Sequence, residues 1–260
     1  MKLSAIINQL EELAPDKFAL SYDNVGLLCG RAEREVSRVF IALDATDQVV
    51  DDTIRQEAEL LITHHPLIFR GIKKVSDDDF IGRRLVKLIE NDVSYYAMHT
   101  NFDVCGMADA AADALGLMDR EVLEVTSEDE LSKEGIGRVG YLPERMTLPQ
   151  CAELVKGVFH TDAVRIFGDM DAGVSLAAVC PGSGGSTIDL AIEAGADVLI
   201  TGDIDHHEGI DAVARGLNII DAGHYGIEKL FIPYMRDFFR RQMPGLDIIE
   251  AADIPPFVTV

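Results

Sequence analysis

Apolar residues at positions 3, 6, 7, 10 and 13 recur at the spacing of one helix face, so the chain opens with an amphipathic helix that stops near Ala14 and Pro15. Turn-forming Asp23, Asn24, Gly26 and Gly30 are then embedded among apolar residues, the pattern of a loop tucked against the body. Unbroken apolar runs at 39–43 and 60–63 predict buried strands, with a helix over 51–58 between them. Over 80–91 a helix places Ile81, Leu85, Leu88 and Ile89 on one face. A strand is expected at 93–98 and an Ala-rich helix at 107–117. Polar and acidic residues from Arg120 to about Lys133 predict a connector. After it come a glycine-interrupted strand at 135–140, a helix over 148–159 with Pro149 in its first turn, strands at 163–167 and 174–180, and a glycine-rich loop at 181–186. That loop lacks a P-loop lysine or the spaced glycines of a dinucleotide fingerprint, so its backbone N–H groups are a weak signal for an anion site.

The second half repeats the order of the first. Strand 39–43, a helical stretch and Leu-Leu-Ile-Thr at 60–63 are echoed by 175–179, a helical stretch and Val-Leu-Ile-Thr at 198–201. The strand ending at His99 is echoed by 217–221 and the following His224. Each of these histidines precedes an acid by four residues: His99 with Asp103, His224 with Glu228. The expected fold class is therefore α/β, with two pseudo-repeated units and a site between them. The first repeat comprises residues 1–125 with part of the C-terminal region, and the second comprises 126–260.

Composition narrows the partners. With 45 acidic against 23 basic residues and a formal net charge of −22, the surface repels phosphate backbones and anionic lipid. Unless a local cationic patch intervenes, nucleic acid and membranes are poor first expectations, and a polyanionic small substrate such as a nucleotide would need bound metal to neutralise its phosphates. Four cysteines without C-x-x-C spacing read as reduced thiols of a cytoplasmic protein, and no signal peptide or membrane span is recognised.

Candidate chemistry concentrates at strand ends. His64 and His65 follow the 60–63 strand, where open α/β sheets place their ligands, and Pro66 keeps His65 extended. Adjacent side chains on an extended chain diverge, which suits two metals better than one. His224 and Glu228 can share one helix face, and Asp103 offers a further oxygen. Three imidazoles and two carboxylates suffice for two borderline divalent ions, with zinc, iron, manganese and nickel all compatible. His160, His206 and His207 are expected at the surface.

Thr63-His64-His65-Pro66, the segment from His99 to Asp103, Thr201-Gly202-Asp203 and Gly223-His224 with Glu228 resemble the motifs of the GTP cyclohydrolase I type 2 homologs, also called NIF-three-like proteins. Residues 21–27 and 135–140 resemble further segments of that family, and the match runs through nearly the whole chain. The resemblance implies two intertwined α/β repeats with mixed sheets flanked by helices, without the CutA-like domain some relatives insert. It implies a dinuclear centre held by His64, His65, Asp103, His224 and Glu228, with Glu228 as bridge and His99 beside it, either supporting the ligands or acting as an acid–base residue. It also implies toroidal homohexamers. The corresponding activity is metal-dependent hydrolysis by a metal-bridging hydroxide, in the form of ring-opening hydrolysis of GTP. The alternative is a non-enzymatic metal-binding protein: a store, chaperone or assembly scaffold.

Overall fold

Short runs dense in Ile, Leu, Val and Tyr are driven out of water, and in both halves of the chain they lie side by side as buried parallel strands. The computed structural model describes residues 1–130 and 132–258. They form two compact units: Met1–Phe102 with Phe231–Asp253, and Asp103–Leu230 with the C-terminal residues from Ile254. Each is a mixed sheet with helices, as the repeat predicts.

The first unit runs α1 (Leu3–Leu13), β1 (Gly26–Cys29), β2 (Arg38–Ala42), α2 (Asp47–Arg55), β3 (Leu60–Thr63), α3 (Phe80–Glu90), β4 (Ser94–Ala97) and a single turn α4 (Thr100–Phe102). Strands β2, β3 and β4 are parallel, with Val39 opposite Leu60 and Leu60 opposite Ser94, and β1 closes one edge antiparallel to β4. Phe40, Ala42, Leu61 and Tyr95 pack with Val50 of α2 and Leu85 and Leu88 of α3. Val39, Ile41, Leu60, Ile62 and Tyr96 are buried as well, so neither face of the sheet alternates with polar residues.

In the second unit a π-helical turn (Asp103–Met107) leads into α5 (Ala108–Leu115), β5 (Met118–Glu128), β6 (Lys133–Thr147), α6 (Leu148–Phe159), β7 (Arg165–Phe167), β8 (Gly173–Ser183), α7 (Ile188–Glu193), β9 (Val198–Gly202), α8 (His206–Ala214), β10 (Asn218–Asp221) and α9 (His224–Glu228). Its parallel centre is β8, β9 and β10, and β7 closes the edge antiparallel to β10. The chain then returns to the first unit as α10 (Phe231–Gln242) and β11 (Asp247–Glu250), which pairs parallel to β2. In the sheet orders β1-β4-β3-β2-β11 and β7-β10-β9-β8-β6-β5 the first four strands correspond, and the sheets differ beyond them, where β11 is parallel to β2 but the β6–β5 hairpin is antiparallel to β8.

Three expectations change. Residues 120–133 are no connector: β5 and β6 form a long antiparallel hairpin, with Val122 opposite Arg138 and Glu128 opposite Lys133. As the outer strand, β5 turns most of its side chains to water, and its charges are those of an edge strand. Gly26–Cys29, read as part of a loop, is strand β1. The segment His224–Glu228 and the apolar stripe Leu230, Phe231, Tyr234, Phe238 and Phe239 after it, which read as continuous helix, are split at Lys229 and Leu230, because Pro233 has no N–H to bond back to the carbonyl of Lys229. Among the described residues no helix is long and apolar enough to cross a membrane.

Candidate functional site

In the first unit β3 ends at Thr63, and the next turn is pinned by a buried hydroxyl. Tyr95 Oη lies 2.7 Å from Thr63 Oγ1, accepts from the Leu67 amide at 2.7 Å and lies 3.1 Å from the His65 carbonyl. Burial pushes the Tyr95 phenol up to about 12, so it stays neutral. His64 is wholly buried, and its Nδ1 donates to the Met98 carbonyl at 2.7 Å. A carbonyl only accepts, so Nδ1 carries the proton and Nε2 the lone pair, the tautomer a metal requires. His65 Nδ1 lies 2.8 Å from Asp44 Oδ1, and His99 Nδ1 lies 2.9 Å from Asp23 Oδ1. One nitrogen from each of His64, His65 and His99 falls within 4.8 Å of the others. Asp23 is fully enclosed, and its second oxygen accepts from the Thr100 amide at 2.9 Å and hydroxyl at 2.6 Å. Burial alone would raise its pKa, but the bonds from His99 and Thr100 outweigh it and hold the carboxyl well below the usual range.

In the second unit His224 opens α9. Its Nδ1 lies 2.9 Å from Asp203 Oδ2 and its Nε2 2.8 Å from Glu228 Oε2, one helical turn on. Burial acts to lower the His224 pKa, but Glu228 and then Asp203 reverse this and push it up to about 9. Glu228 is 3% exposed, and a carboxylate oxygen of Asp103 lies within 4.8 Å of one of its own. Two glycines permit this crowding. A Cβ on Gly182, at φ +75°, would stand 2.4 Å from Glu228 Oε1, and one on Gly202 would stand 2.4 Å from the His224 amide nitrogen. Beneath them Asp221 accepts from the Ile204 amide at 3.0 Å and the Gly223 amide at 2.9 Å and pairs with Arg165, holding both loops to the end of β10.

The ladders show how the repeat diverges. The Thr63 carbonyl accepts from the Met98 amide and the Thr201 carbonyl from the Ala222 amide, so His99 matches Gly223, and Thr100 matches His224. The echo of a histidine four residues before an acid is therefore one residue out of register. By the same ladders His64 matches Gly202, where the start of α9 fills the space that a side chain would need.

Each unit thus gathers part of the expected set: His64, His65 and His99 in the first, Asp103, His224 and Glu228 in the second. In all four of these histidines Nδ1 is engaged by an oxygen, which suits neutral Nε2 donation to a metal. His206 and His207 are exposed at the start of α8, and His160 is an exposed left-handed cap at the end of α6. The glycine-rich loop is the end of β8 and a 3-10 turn. All four cysteines are free thiols, and burial pushes Cys151 and Cys180 up to about 12. The orienting carboxylates Asp23, Asp44 and Asp203 were not assigned from the sequence. Asp44 and Asp203 carry a signal, an acid just beyond a buried parallel strand. Asp23 carries none, because its partner is 76 residues away.

Two repeated α/β units with imidazoles and carboxylates at the carboxyl ends of their parallel strands define the class: an α/β protein with candidate metal-ligand groups. The sequence matches the family Duf34/NIF3 (NGG1p interacting factor 3) over residues 1–255, and the chain belongs to this family. It is 36% identical over 230 residues to a "GTP cyclohydrolase 1 type 2 homolog" of Clostridium perfringens, covering 88% of this chain and 87% of that one. A protein of the same name from Streptomyces coelicolor is 37% identical over 87% of this chain and 81% of its own. Among solved structures, a Bacillus cereus protein related to NIF3 superposes with a TM-score of 0.90 at 28% identity, covering 100% of this chain and 99% of that one. Reduced HcgD from Methanocaldococcus jannaschii gives 0.83 at 32% identity, covering 96% and 97%.

Proposed function

We propose that this protein is a metal-dependent hydrolase in which His64, His65, Asp103, His224 and Glu228 hold two divalent ions, with Glu228 as the shared carboxylate. The observation that carries this reading is the common fate of the imidazoles: the Nδ1 of His64, His65 and His224 lies on the Met98 carbonyl, Asp44 and Asp203 respectively. Such oxygens fix ring orientation and tautomer and raise the basicity of the opposite nitrogen, work that a merely structural histidine does not need. Nitrogen and carboxylate donors suit zinc, iron, manganese or nickel.

A divalent pair supplies Lewis-acid activation of water and of an electrophilic carbon or phosphorus centre. The chain's own residues supply the rest. Asp23, ionised and enclosed, orients His99 through Nδ1 and leaves Nε2 to take and return a proton. Asp44 and Asp203 keep His65 and His224 from turning. The name carried by the relatives suggests ring-opening hydrolysis of a purine nucleotide, with water attacking the imidazole-ring carbon while His99 moves the proton.

The test is a turnover screen of metal-reconstituted protein against nucleotides and phosphoesters. The expected result is hydrolysis that a chelator abolishes and that His99→Gln lowers at least about 100-fold in kcat while metal content is retained. Metal-loaded protein that turns over none of these substrates but passes its metal to an apo-protein would replace this reading with that of a metal carrier.

A further inference from the structure

Next to the imidazoles of the first unit two aromatic side chains face solvent. Tyr22 is 63% and Phe69 41% exposed; their ring centroids are 6.2 Å apart, and Phe69 stands 6.1 Å from His99 in an edge-to-face arrangement. The backbone next to both residues is tied down. Asn24 Nδ2 donates to the Ile68 carbonyl at 2.5 Å, the Leu20 amide donates to Thr100 Oγ1 at 2.8 Å, and Asp23 holds His99. Scattered exposed apolar residues need no explanation, but an aromatic pair in edge contact beside candidate reactive imidazoles offers a stacking platform.

The charge of the same segment departs from the rest of the chain. From His64 to Ser76 there is no Asp or Glu, and Arg70, Lys73 and Lys74 follow Phe69 closely before Asp77, Asp78 and Asp79 restore the acidic character of a protein with 45 acidic and 23 basic residues. Lys74 pairs with Asp78 at 2.5 Å, but among the described residues neither Arg70 nor Lys73 forms an ion pair, and both are exposed. A cationic stretch on a strongly acidic surface gives an anion a local landing place.

We propose that Tyr22, Phe69, Arg70 and Lys73 form a recognition face for an anionic ligand carrying a planar aromatic ring. The ring stacks on the aromatic pair, the anion meets the two cations, and the ligand is thereby set beside His99. This extends the hydrolase reading by assigning the residues that select its substrate.

The test is calorimetric titration of the full-length, chelator-treated protein with adenosine 5′-monophosphate, ribose 5-phosphate and adenosine, with metal uptake by the same samples measured separately. Adenosine 5′-monophosphate should bind about ten-fold or more tightly than either fragment. Phe69→Ala, Tyr22→Ala and the double variant Arg70→Ala/Lys73→Ala should each weaken it about ten-fold without changing metal uptake. Equal affinity for ribose 5-phosphate, no binding of adenosine 5′-monophosphate, or full retention in Phe69→Ala overturns the proposal. So does a Phe69→Ala variant whose only change is a smaller oligomer, since a second copy of the chain would then be the occupant. A chain that binds adenosine 5′-monophosphate as described but takes up no metal upholds the recognition face and removes only the metal reading.

Discussion

Glycine and histidine chemistry decide the candidate site at the scale of single residues. Gly202 stands where the other repeat has His64, and a Cβ there would collide with backbone at the start of α9, which cannot retreat as a flexible side chain can. Gly202→Ala should therefore cost about 1–3 kcal/mol in denaturant unfolding and weaken metal uptake, whereas Gly157→Ala, in α6 with open space around it, should stabilise by about 0.5–1 kcal/mol. His224 makes the second residue-scale prediction. In metal-free protein its pKa is raised from 6.5 to about 9. A group whose folded pKa is raised contributes stability that is complete below its unfolded value and is lost as pH rises through the folded value. Chelated protein should thus lose about 2 kcal/mol relative to His224→Gln between pH 6.5 and 9, allowing for solvent screening of a partly exposed ring. Melting temperatures of the two proteins across that range check it. The candidate donors His64, His65, His224 and Glu228 could be picked from the sequence because they sit at strand and helix ends. Asp23 was not, because nothing local in a Ser-Tyr-Asp-Asn turn says that its carboxylate closes on a histidine far along the chain.

Elements were legible wherever both faces are buried. Leu60–Thr63 and Leu148–Phe159 fall where their apolar patterns place them, since four consecutive buried residues or one continuous helical stripe leave a clear periodicity. Edges were not. Strand β5 turns mostly to water, and its buried Leu123 is too little apolar signal to distinguish a strand from a linker. Likewise β1 is interrupted by turn-forming residues and a register shift between Leu27 and Cys29. Of the side chains that tie down the loop before β1, Asp23 makes the most bonds, joining it to His99 and to the start of α4 beside the single bonds of Asn24 to Ile68 and of the Leu20 amide to Thr100. Asp23→Asn should retain the strands but release this loop. Hydrogen exchange at the Thr100 amide should accelerate about ten-fold or more while the amides of β3 and β4 keep their protection. Unchanged exchange at Thr100 would mean that the loop is held by other contacts.

At the scale of the whole molecule, each unit places candidate metal-ligand groups at the carboxyl end of its parallel strands. The net charge of −22 sets what such a molecule meets: in a gel shift at moderate salt it should leave double-stranded DNA unshifted up to micromolar protein. The central claim is that His64, His65, Asp103, His224 and Glu228 bind two divalent ions per chain. The most direct measurement is elemental analysis of anaerobically purified protein beside a variant carrying His65→Ala and Glu228→Gln, both checked for folding by circular dichroism. Two divalent ions per wild-type chain and their loss from the folded variant are expected. Equal metal content in the two proteins would contradict it.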